Sequence, residues 1–416
     1  MFLTEVELTR FFFVIVLLLI FSLFWGYVFQ RCGLPKVVGE IFGGFLLGPT
    51  ILGFFLPAAY AYLFQAFPSE GKLLSFLSWF GLILLMFTSG FEVQKSVASQ
   101  DKKIILAILL GSTVLPFILG WTMTNIIDIV PYVGEKGNIL ALKIIIAIAV
   151  AVTSIPVISR IFIDLNIMQT RFAKIVLITA SLHDLILWMA LAIATGLVST
   201  TAMSFHKILM TIGVTLLFFV FMLFFMPLLI RWVDETRFNF LRRSSSLGYT
   251  LFICFLSAAV ASALNINIVF GALMAGVVVG LMPAERFAEA KENIKNFAVA
   301  FFTPIYFAIV GLKLDLIYHF DFKFFMGFFL FSSLVQIAGT YAAAKVVHLD
   351  NKSSFNFAVA MTTRGGPGIV LATVAFELGI ISESLYVSLV LVAIVTSLLS
   401  GYWFRRVVSS GKELLN

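Results

Sequence analysis

The chain has 416 residues, of which 61% are hydrophobic and 12% charged, and its mean hydropathy is +1.08. Water-soluble domains carry about 25% charged residues, so this composition excludes a soluble enzyme and a nucleic-acid-binding protein despite the net charge of +7. At roughly 20 apolar residues per crossing, a chain of this length accommodates about a dozen membrane-spanning helices. Cys32 and Cys254 lie at or in apolar segments, and we interpret both as packing residues.

Apolar stretches bounded by charged or turn residues predict an all-α polytopic membrane protein with thirteen spanning helices. The windows are 8–30, 35–56, 73–93, 104–126, 139–163, 172–197, 207–230, 247–263, 267–283, 296–314, 324–346, 354–378 and 383–404. The first window is too long for a signal peptide and lacks its small-residue cleavage site, so it is counted as a helix.

The positions of lysine and arginine predict the orientation of the chain. Of 28 such residues, 20 lie in the loops after odd-numbered windows or in the C-terminal tail, seven lie on the other side, and Arg364 falls inside a window. Positive residues are retained in cytoplasmic loops. The N-terminus is therefore predicted outside and the C-terminus in the cytoplasm of a cell, with the chain in the cell membrane. This arrangement requires an odd number of crossings.

Short matching segments in the two halves predict an internal repeat. Each pair lies seven windows apart: 41–48 with 269–276, 89–93 with 310–314, and 155–158 with 366–369. Because seven is odd, the two copies run in opposite directions through the bilayer, which is the inverted-topology architecture of secondary transporters. The predicted organisation is one membrane transporter domain over 1–416 without a soluble regulatory domain. Its parts are repeat one at about 8–197, a linker helix at about 207–230 and repeat two at about 247–404.

The fifth and twelfth windows are each interrupted near their middle, at 152–156 and 362–368. Proline removes a backbone donor and glycine loosens the backbone, so both helices are predicted to break. Pro156 suits the first position of a restarting half-helix, with Thr153 or Ser154 as its cap. Broken helices at matching repeat positions indicate a transport site. The alternative is a proline kink with ordinary packing.

Asp184, in the middle of the sixth window, is the predicted binding residue for a cation and a proton. Removal from water favours the protonated form of a carboxyl group, and a carboxylate in a membrane needs a partner or a function. The alternative is a fixed ion pair with Arg364 or with a helix N-terminus. His183 is either a second titrating group or a hydrogen-bonded structural residue, and we favour the latter. Glu40 is predicted to face the bilayer early in the second window, as a structural polar group that can pair with a core residue.

Several of these segments together resemble the monovalent cation/proton antiporter-2 family, over residues 10 to 405. They are Leu34 to Ile41 leading into Leu47-Gly48-Pro49, Gly81 to Glu92, the Thr153-Ser154-Ile155-Pro156 break, the intramembrane Asp184, and Arg364-Gly365-Gly366-Pro367. The resemblance implies a sodium/proton antiporter-like fold, a homodimer, and a mobile core in which two crossed broken helices surround the ion-binding aspartate. Asp184 is similar to that aspartate, while Thr153, Ser154 and the 364–367 stretch are expected to line the crossing.

The chain departs from the family pattern at three positions. His183 replaces a residue that is usually Asp, Asn or Gln, Gln336 stands where many relatives have Lys or Arg, and Gly366 replaces a Glu. One carboxylate without a competing lysine implies that one cation exchanges for one proton without net charge movement, although a titrating His183 would add a charge. Gln336 and Glu40 are candidates for tuning the site.

The function predicted on these grounds is exchange of Na⁺ or K⁺ against H⁺ by alternating access. The alkali cation bound at Asp184 is a substrate, no cofactor is expected, and the lipid bilayer is the surrounding partner. The alternatives are a sodium-coupled organic anion transporter and a non-transporting sensor or scaffold. An intramembrane enzyme is disfavoured because the sequence contains no HExxH, GxGD or GxSG motif.

Overall fold

The structure is a computed structural model that describes residues 3–91, 101–198, 205–235 and 239–415, and this part of the chain is helical. In chain order the helices are α1 Glu5–Arg31, α2 Lys36–Leu47, α3 Pro57–Phe64, α4 Glu70–Gly90, α5 Lys102–Met123, α6 Ile139–Ala151, α7 Ile155–Asp164, α8 Arg171–Val198, α9 Phe205–Val220, α10 Met226–Glu235, α11 Phe240–Ser244, α12 Ser246–Ala263, α13 Ile268–Leu281, α14 Ala284–Phe297, α15 Thr303–Leu312, α16 Phe322–Val346, α17 Asn351–Met361, α18 Gly365–Glu377 and α19 Glu383–Ser409.

The predicted polytopic all-α architecture is confirmed. Within the described ranges, eleven helical segments are long and apolar enough to cross a membrane, and the apolar helices α6 and α13 are shorter. Each of the thirteen predicted windows overlaps one of these segments. The tenth window, 296–314, begins too far along the chain, because the helical segment in this region already begins at Ala284. Its first turns are rich in charged residues, so an apolar criterion does not detect them.

In the part of the chain that the structure describes, three five-residue π-helical turns occur, at Pro49–Gly53, Phe221–Phe225 and Ala298–Phe302. The last two directly precede a helix whose second residue is proline, Pro227 and Pro304. A proline ring clashes with the carbonyl four residues earlier, and a wider turn relieves that clash while the helix continues.

The helices pack as two groups. Helices α1, α2, α4 and α12 to α15 pack mainly on one another and form what we call the scaffold group. Helices α5 to α8 and α16 to α19 form the crossing group, which contains both interrupted helices. This division puts the residues of the predicted site in one group.

Close helix contacts in the scaffold group are related in pairs. A Cβ atom added at Gly44 on α2 would lie 1.8 Å from the carbonyl oxygen of Ala308 on α15, and one added at Gly276 on α13 would lie 2.0 Å from that of Phe87 on α4. Only glycine permits such approach. The predicted repeat equates α2 with α13 and α4 with α15, so corresponding helices meet through a close glycine contact in both cases, although Gly276 is matched to Gly48 and not to Gly44.

A third close contact joins α5 to α16, which is the helix that corresponds to α5 in the other copy of the predicted repeat. A Cβ atom at Gly111 on α5 would lie 2.5 Å from the carbonyl oxygen of Gly339 on α16, and the reverse distance is also 2.5 Å. The predicted repeat equates α5 with α16. An internal two-fold axis between α5 and α16, as the predicted inverted repeat would have, gives mutual contacts of this kind.

Two minor predictions are wrong. Cys32 is exposed, because it follows the last turn of α1, whereas Cys254 is buried as expected. Glu40 is 2% exposed rather than facing lipid, and it forms an ion pair of 3.2 Å with Lys36 one turn earlier. It packs against α1, where a Cβ atom at Gly26 would lie 3.1 Å from its Cγ. The predicted match at residues 92 and 93 lies outside the described residues.

Candidate functional site

Both predicted helix breaks are present. Helix α6 ends at Ala151 and α7 begins at Ile155, with extended backbone between them, while α17 ends at Met361 and α18 begins at Gly365. Ser154 is the cap of α7, because its Oγ accepts a hydrogen bond of 3.3 Å from the backbone N–H of Val157. Ile155 is the first helical residue, so Pro156 occupies the second position and not the first.

The two breaks touch at Gly365. Its φ is +35°, and an added Cβ atom would lie 2.3 Å from Val157 Cγ2 and 2.7 Å from Ser154 Oγ. Glycine is required here for both the backbone conformation and the space. Gly366 has room, since the nearest atom to an added Cβ is 4.0 Å away. Pro367 is the third residue of α18, where its missing N–H has no partner within the helix to lose.

Side chains from two other helices cap the end of α6. The last carbonyl groups of a helix have no partner within it and carry partial negative charge. The Arg364 guanidinium donates to the carbonyl oxygens of Ala149 and Val150, each at 3.2 Å. Gln336 Nε2 donates to that of Ala151 at 2.6 Å. The positive charge of Arg364, which is 2% exposed, therefore lies against the negative end of a half-helix.

The same groups connect the two breaks. Gln336 Oε1 accepts a hydrogen bond of 3.2 Å from Arg364, and Gln336 Nε2 lies 3.2 Å from Thr153 Oγ1. The Thr153 hydroxyl donates in turn to the carbonyl of Met361, the last residue of α17. Thr153, Gln336 and Arg364, which lie far apart in sequence, thus form one network that satisfies both half-helix ends.

Sequence reasoning missed two members of this network. Ser333 Oγ lies 3.5 Å from Arg364 Nη1, and Thr396 Oγ1 accepts from the Arg364 backbone N–H at 3.3 Å. Ser333 precedes Gln336 by three residues, so a shared helix face was the available signal. Thr396 on α19 offered no such signal.

Asp184 lies on α8, which packs against α6, α7 and α18 beside the crossing. Its side chain is 14% exposed, and its buried Oδ1 has no hydrogen-bond partner within the described residues. Arg364 makes no ion pair with it there, since its donors point to backbone carbonyls, Gln336 and Ser333. The alternative of a fixed pair between Asp184 and Arg364 therefore does not occur.

His183 lies next to Asp184 and is completely buried. Its Nδ1 is 3.9 Å from Asp184 Oδ1, which is beyond hydrogen-bond distance, and neither ring nitrogen has a hydrogen-bond partner in the described part of the chain. The hydrogen bond predicted for a structural histidine is therefore not present among the described residues. Buried polar atoms are almost always bonded, so these adjacent exceptions mark a place where an ion or proton can bind.

A cavity of about 320 Å³ separates the two helix groups on the side of the molecule where α7 ends. It is lined by Thr88 of the scaffold group and by Val157 and Arg160 of the crossing group, among others. On the opposite side the groups touch: Tyr386 on α19 donates to the carbonyl of Val310 on α15 at 3.0 Å. The space between the groups is therefore accessible from one side.

Comparison with known proteins identifies the family. A family model described as "Sodium/hydrogen exchanger, transmembrane" matches residues 15–410. The chain is 25% identical to the Na⁺/H⁺-K⁺ antiporter GerN of Bacillus cereus over 94% of each protein, and 26% identical to the Na⁺/H⁺ antiporter NhaS4 of Synechocystis over 90% of this chain and 91% of that protein. It is 30% identical to the K⁺/H⁺ antiporter 1 of Saccharomyces cerevisiae, of which it covers 42%.

The fold has a solved counterpart. The sodium proton antiporter MjNhaP1 from Methanocaldococcus jannaschii superposes with a TM-score of 0.66 at 14% identity, covering 97% of this chain and 98% of that one. These relatives are transporters, and neither the organic-anion nor the sensor alternative is favoured by them. The chain belongs to the sodium/hydrogen exchanger family and is a monovalent cation/proton antiporter.

Proposed function

We propose that the chain exchanges one Na⁺ or K⁺ for one H⁺ by alternating access, with Asp184 as the carboxylate that binds either ion. The observation that carries this proposal is the buried Asp184 Oδ1, which has no hydrogen-bond donor among the described residues. An ionised oxygen without a donor is unstable in a region of low dielectric constant. Binding of a proton or an alkali cation removes that penalty. The two ions compete for the same oxygen, and this competition couples their transport.

The contacts at the crossing of the two broken helices support a site in which the charge of one side chain, Asp184, changes during transport. Arg364 is matched by the carbonyl ends of α6 and by Gln336, so its charge is compensated without Asp184. Thr153 and Ser154, at the break between α6 and α7, are the hydroxyl-bearing residues that we assign to the ion site. A carboxylate that alternates between a bound proton and a bound cation stays neutral in both states, which makes the exchange electroneutral.

The one-sided cavity supports alternating access. Its lining includes Lys36 and Arg160, which lie in segments assigned to the cytoplasm by the positive-charge rule. We therefore assign the structure to the inward-facing state of a cell-membrane protein with its N-terminus outside. Movement of the crossing group against the scaffold group opens the other side. A homodimer assembled through the scaffold group keeps that group stationary, and this assembly is part of the proposal.

Replacement of Asp184 tests the ion-binding role. Asp184→Asn keeps the shape of the side chain but cannot ionise, so we expect cation-dependent proton movement in proteoliposomes to disappear. Asp164→Asn is the matched control, because Asp164 is an exposed carboxylate at the end of α7 paired with Arg160, and it should exchange normally. Exchange at the wild-type rate by Asp184→Asn would contradict the assignment.

The same proteoliposomes test the stoichiometry. With no organic solute present, addition of Na⁺ or K⁺ should change the internal pH. At fixed K⁺ concentrations on the two sides, setting the membrane voltage by adding valinomycin should leave the rate of Na⁺ exchange unchanged. A rate that follows the imposed voltage would show net charge movement and would exclude one-for-one exchange.

A further inference from the structure

Three side chains of types that bind metal ions meet on the side of the molecule opposite the cavity, where the two helix groups touch. We call this the closed side, and it lies away from the crossing of the broken helices. Asp315 and His319 lie in the loop after α15, and Glu383 is the first residue of α19. Their ligand atoms all lie within 4.8 Å of one another. His319 Nδ1 is 3.5 Å from Asp315 Oδ2 and 3.5 Å from Glu383 Oε1.

The loop holds Asp315 in place for this contact. Asp315 Oδ1 accepts hydrogen bonds from the backbone N–H groups of Ile317 and Tyr318, at 3.0 and 3.1 Å. Its other oxygen is thereby directed toward His319. The residue itself is buried. One ligand is therefore oriented before any ion arrives.

The histidine has an unused nitrogen. His319 Nδ1 is buried, yet neither carboxylate contact meets hydrogen-bond geometry, and it has no hydrogen-bond partner within the described ranges. A protonated histidine shared between two carboxylates is the competing explanation, but it requires that nitrogen to donate. Among the described residues, His319 is also the only basic side chain within ion-pair distance of Asp315 and Glu383.

We propose that Asp315, His319 and Glu383 form a binding site for a divalent transition-metal ion, with Zn²⁺ as the ion that fits. Two ligand atoms bound to one tetrahedral zinc ion at about 2.0–2.1 Å lie roughly 3.3 Å from each other. The two distances from His319 Nδ1 are close to this value. One imidazole and two carboxylates leave a fourth position for water. Alkali cations do not use imidazole, so this site is separate from the transported ion.

The surrounding charges agree with a cation at this place. Burial raises the pKa of the Tyr60 phenol, and the negative charges of Asp315 and Glu383 raise it further. A divalent ion compensates both carboxylates. Lys313 at the end of α15 is not available for this purpose, because it pairs with Glu377.

The metal ion would join the two helix groups. Thr50, which follows α2, holds the Asp315 loop to the scaffold group: its hydroxyl donates to Leu314 O at 2.7 Å and accepts from Leu316 N–H at 3.0 Å. Glu383 belongs to the crossing group. A bound Zn²⁺ therefore keeps the closed side closed and holds the inward-facing state. This consequence rests on the proposed alternating-access function, whereas metal binding does not.

Binding is tested on the purified full-length chain in lipid nanodiscs after removal of any polyhistidine tag. Titration calorimetry with ZnCl₂ should give one site per chain. His319→Gln, and separately Glu383→Gln, should weaken that site by more than about tenfold, since even the loss of an outer-shell partner costs a metal site 10–100-fold. His206→Gln, which alters an exposed histidine at the start of α9, should bind as the wild type does. Equal Zn²⁺ binding by all these proteins, or none by the wild type, overturns the proposal.

Transport supplies a second readout. Zn²⁺ added on the side of residues 313–319 should slow exchange by the wild type and have no effect on His319→Gln, which should exchange normally without Zn²⁺. If Zn²⁺ binds at this site but does not slow exchange, the claim that the metal ion holds the two helix groups together is wrong. Absence of exchange by the wild type without Zn²⁺ would instead contradict the proposed function, and the calorimetry would be unaffected by it.

Discussion

At the scale of single residues, the informative feature is a polar atom in an apolar region that lacks an ordinary partner. Arg364 and Asp184 both lie within apolar segments, but their surroundings differ. Arg364 donates to two carbonyls and to Gln336, so its charge is used in structure. Asp184 Oδ1 and both nitrogens of His183 have no such partner among the described residues. This difference is the reason that we propose Asp184, and not Arg364, as the ion-binding residue.

Gly365 and Gly366 give a prediction at this scale. Gly365→Ala places a methyl group 2.3 Å from Val157 and imposes a side chain at a φ of +35°, so we expect it to destabilise the protein by about 1–3 kcal/mol. Gly366→Ala is the matched control, because its added methyl group has space, and it should unfold at the wild-type temperature. Thermal unfolding followed by tryptophan fluorescence measures both. Equal unfolding temperatures would contradict the close approach of the two breaks.

At the scale of helices, the important feature is how the free backbone groups at the ends of the broken helices are capped. The C-terminal carbonyls of α6 have no partners within their own helix, and lipid cannot supply any. They are capped instead by side chains from α16 and α18, and the end of α17 is capped by Thr153. The two half-helices are stable in the membrane only because they cross, so the crossing is a condition of the fold as well as of the site.

Arg364→Lys tests this capping. A lysine ammonium is a point donor and cannot span two carbonyls and Gln336 as the planar guanidinium does. Loss of one hydrogen bond from a charged donor costs about 1.5–3 kcal/mol, and we expect a loss of unfolding free energy in this range. Arg160→Lys is the control: Arg160 is exposed and pairs with Asp164, so its change should stay within about 0.5 kcal/mol. Similar losses in both variants would argue against the cap.

At the scale of the whole molecule, a cavity lies between the two helix groups on one side, and polar contacts join the groups on the other. The cavity lies beside Val157, while Tyr386 and the pair of Lys313 with Glu377 join the groups on the opposite side. A polar contact on the closed side must break when that side opens. In the proposed mechanism the two groups move against each other, so that the buried carboxylate reaches water on both sides of the membrane in turn.

Cys32 tests the orientation of the whole molecule. It is the exposed cysteine of the pair and lies between α1 and α2, on the side of the cavity, whereas Cys254 is buried. If that side is cytoplasmic, a membrane-impermeant maleimide should label inverted membrane vesicles and leave intact cells unlabelled. Cys32→Ser should abolish the labelling. Labelling of intact cells through Cys32 would reverse the predicted orientation.

The sequence by itself determined the features that depend on neighbouring residues. Apolar length specifies the membrane helices, proline and glycine specify the two breaks, and the mid-helix position specifies Asp184. The tertiary structure alone decided which groups meet. It placed Gln336 and Arg364 on the end of α6, buried Glu40 against α1, left His183 without partners, and brought Asp315 and His319 to Glu383. The physical reason is that backbone preferences act over a few residues, whereas contacts between distant residues depend on how closely whole helices pack.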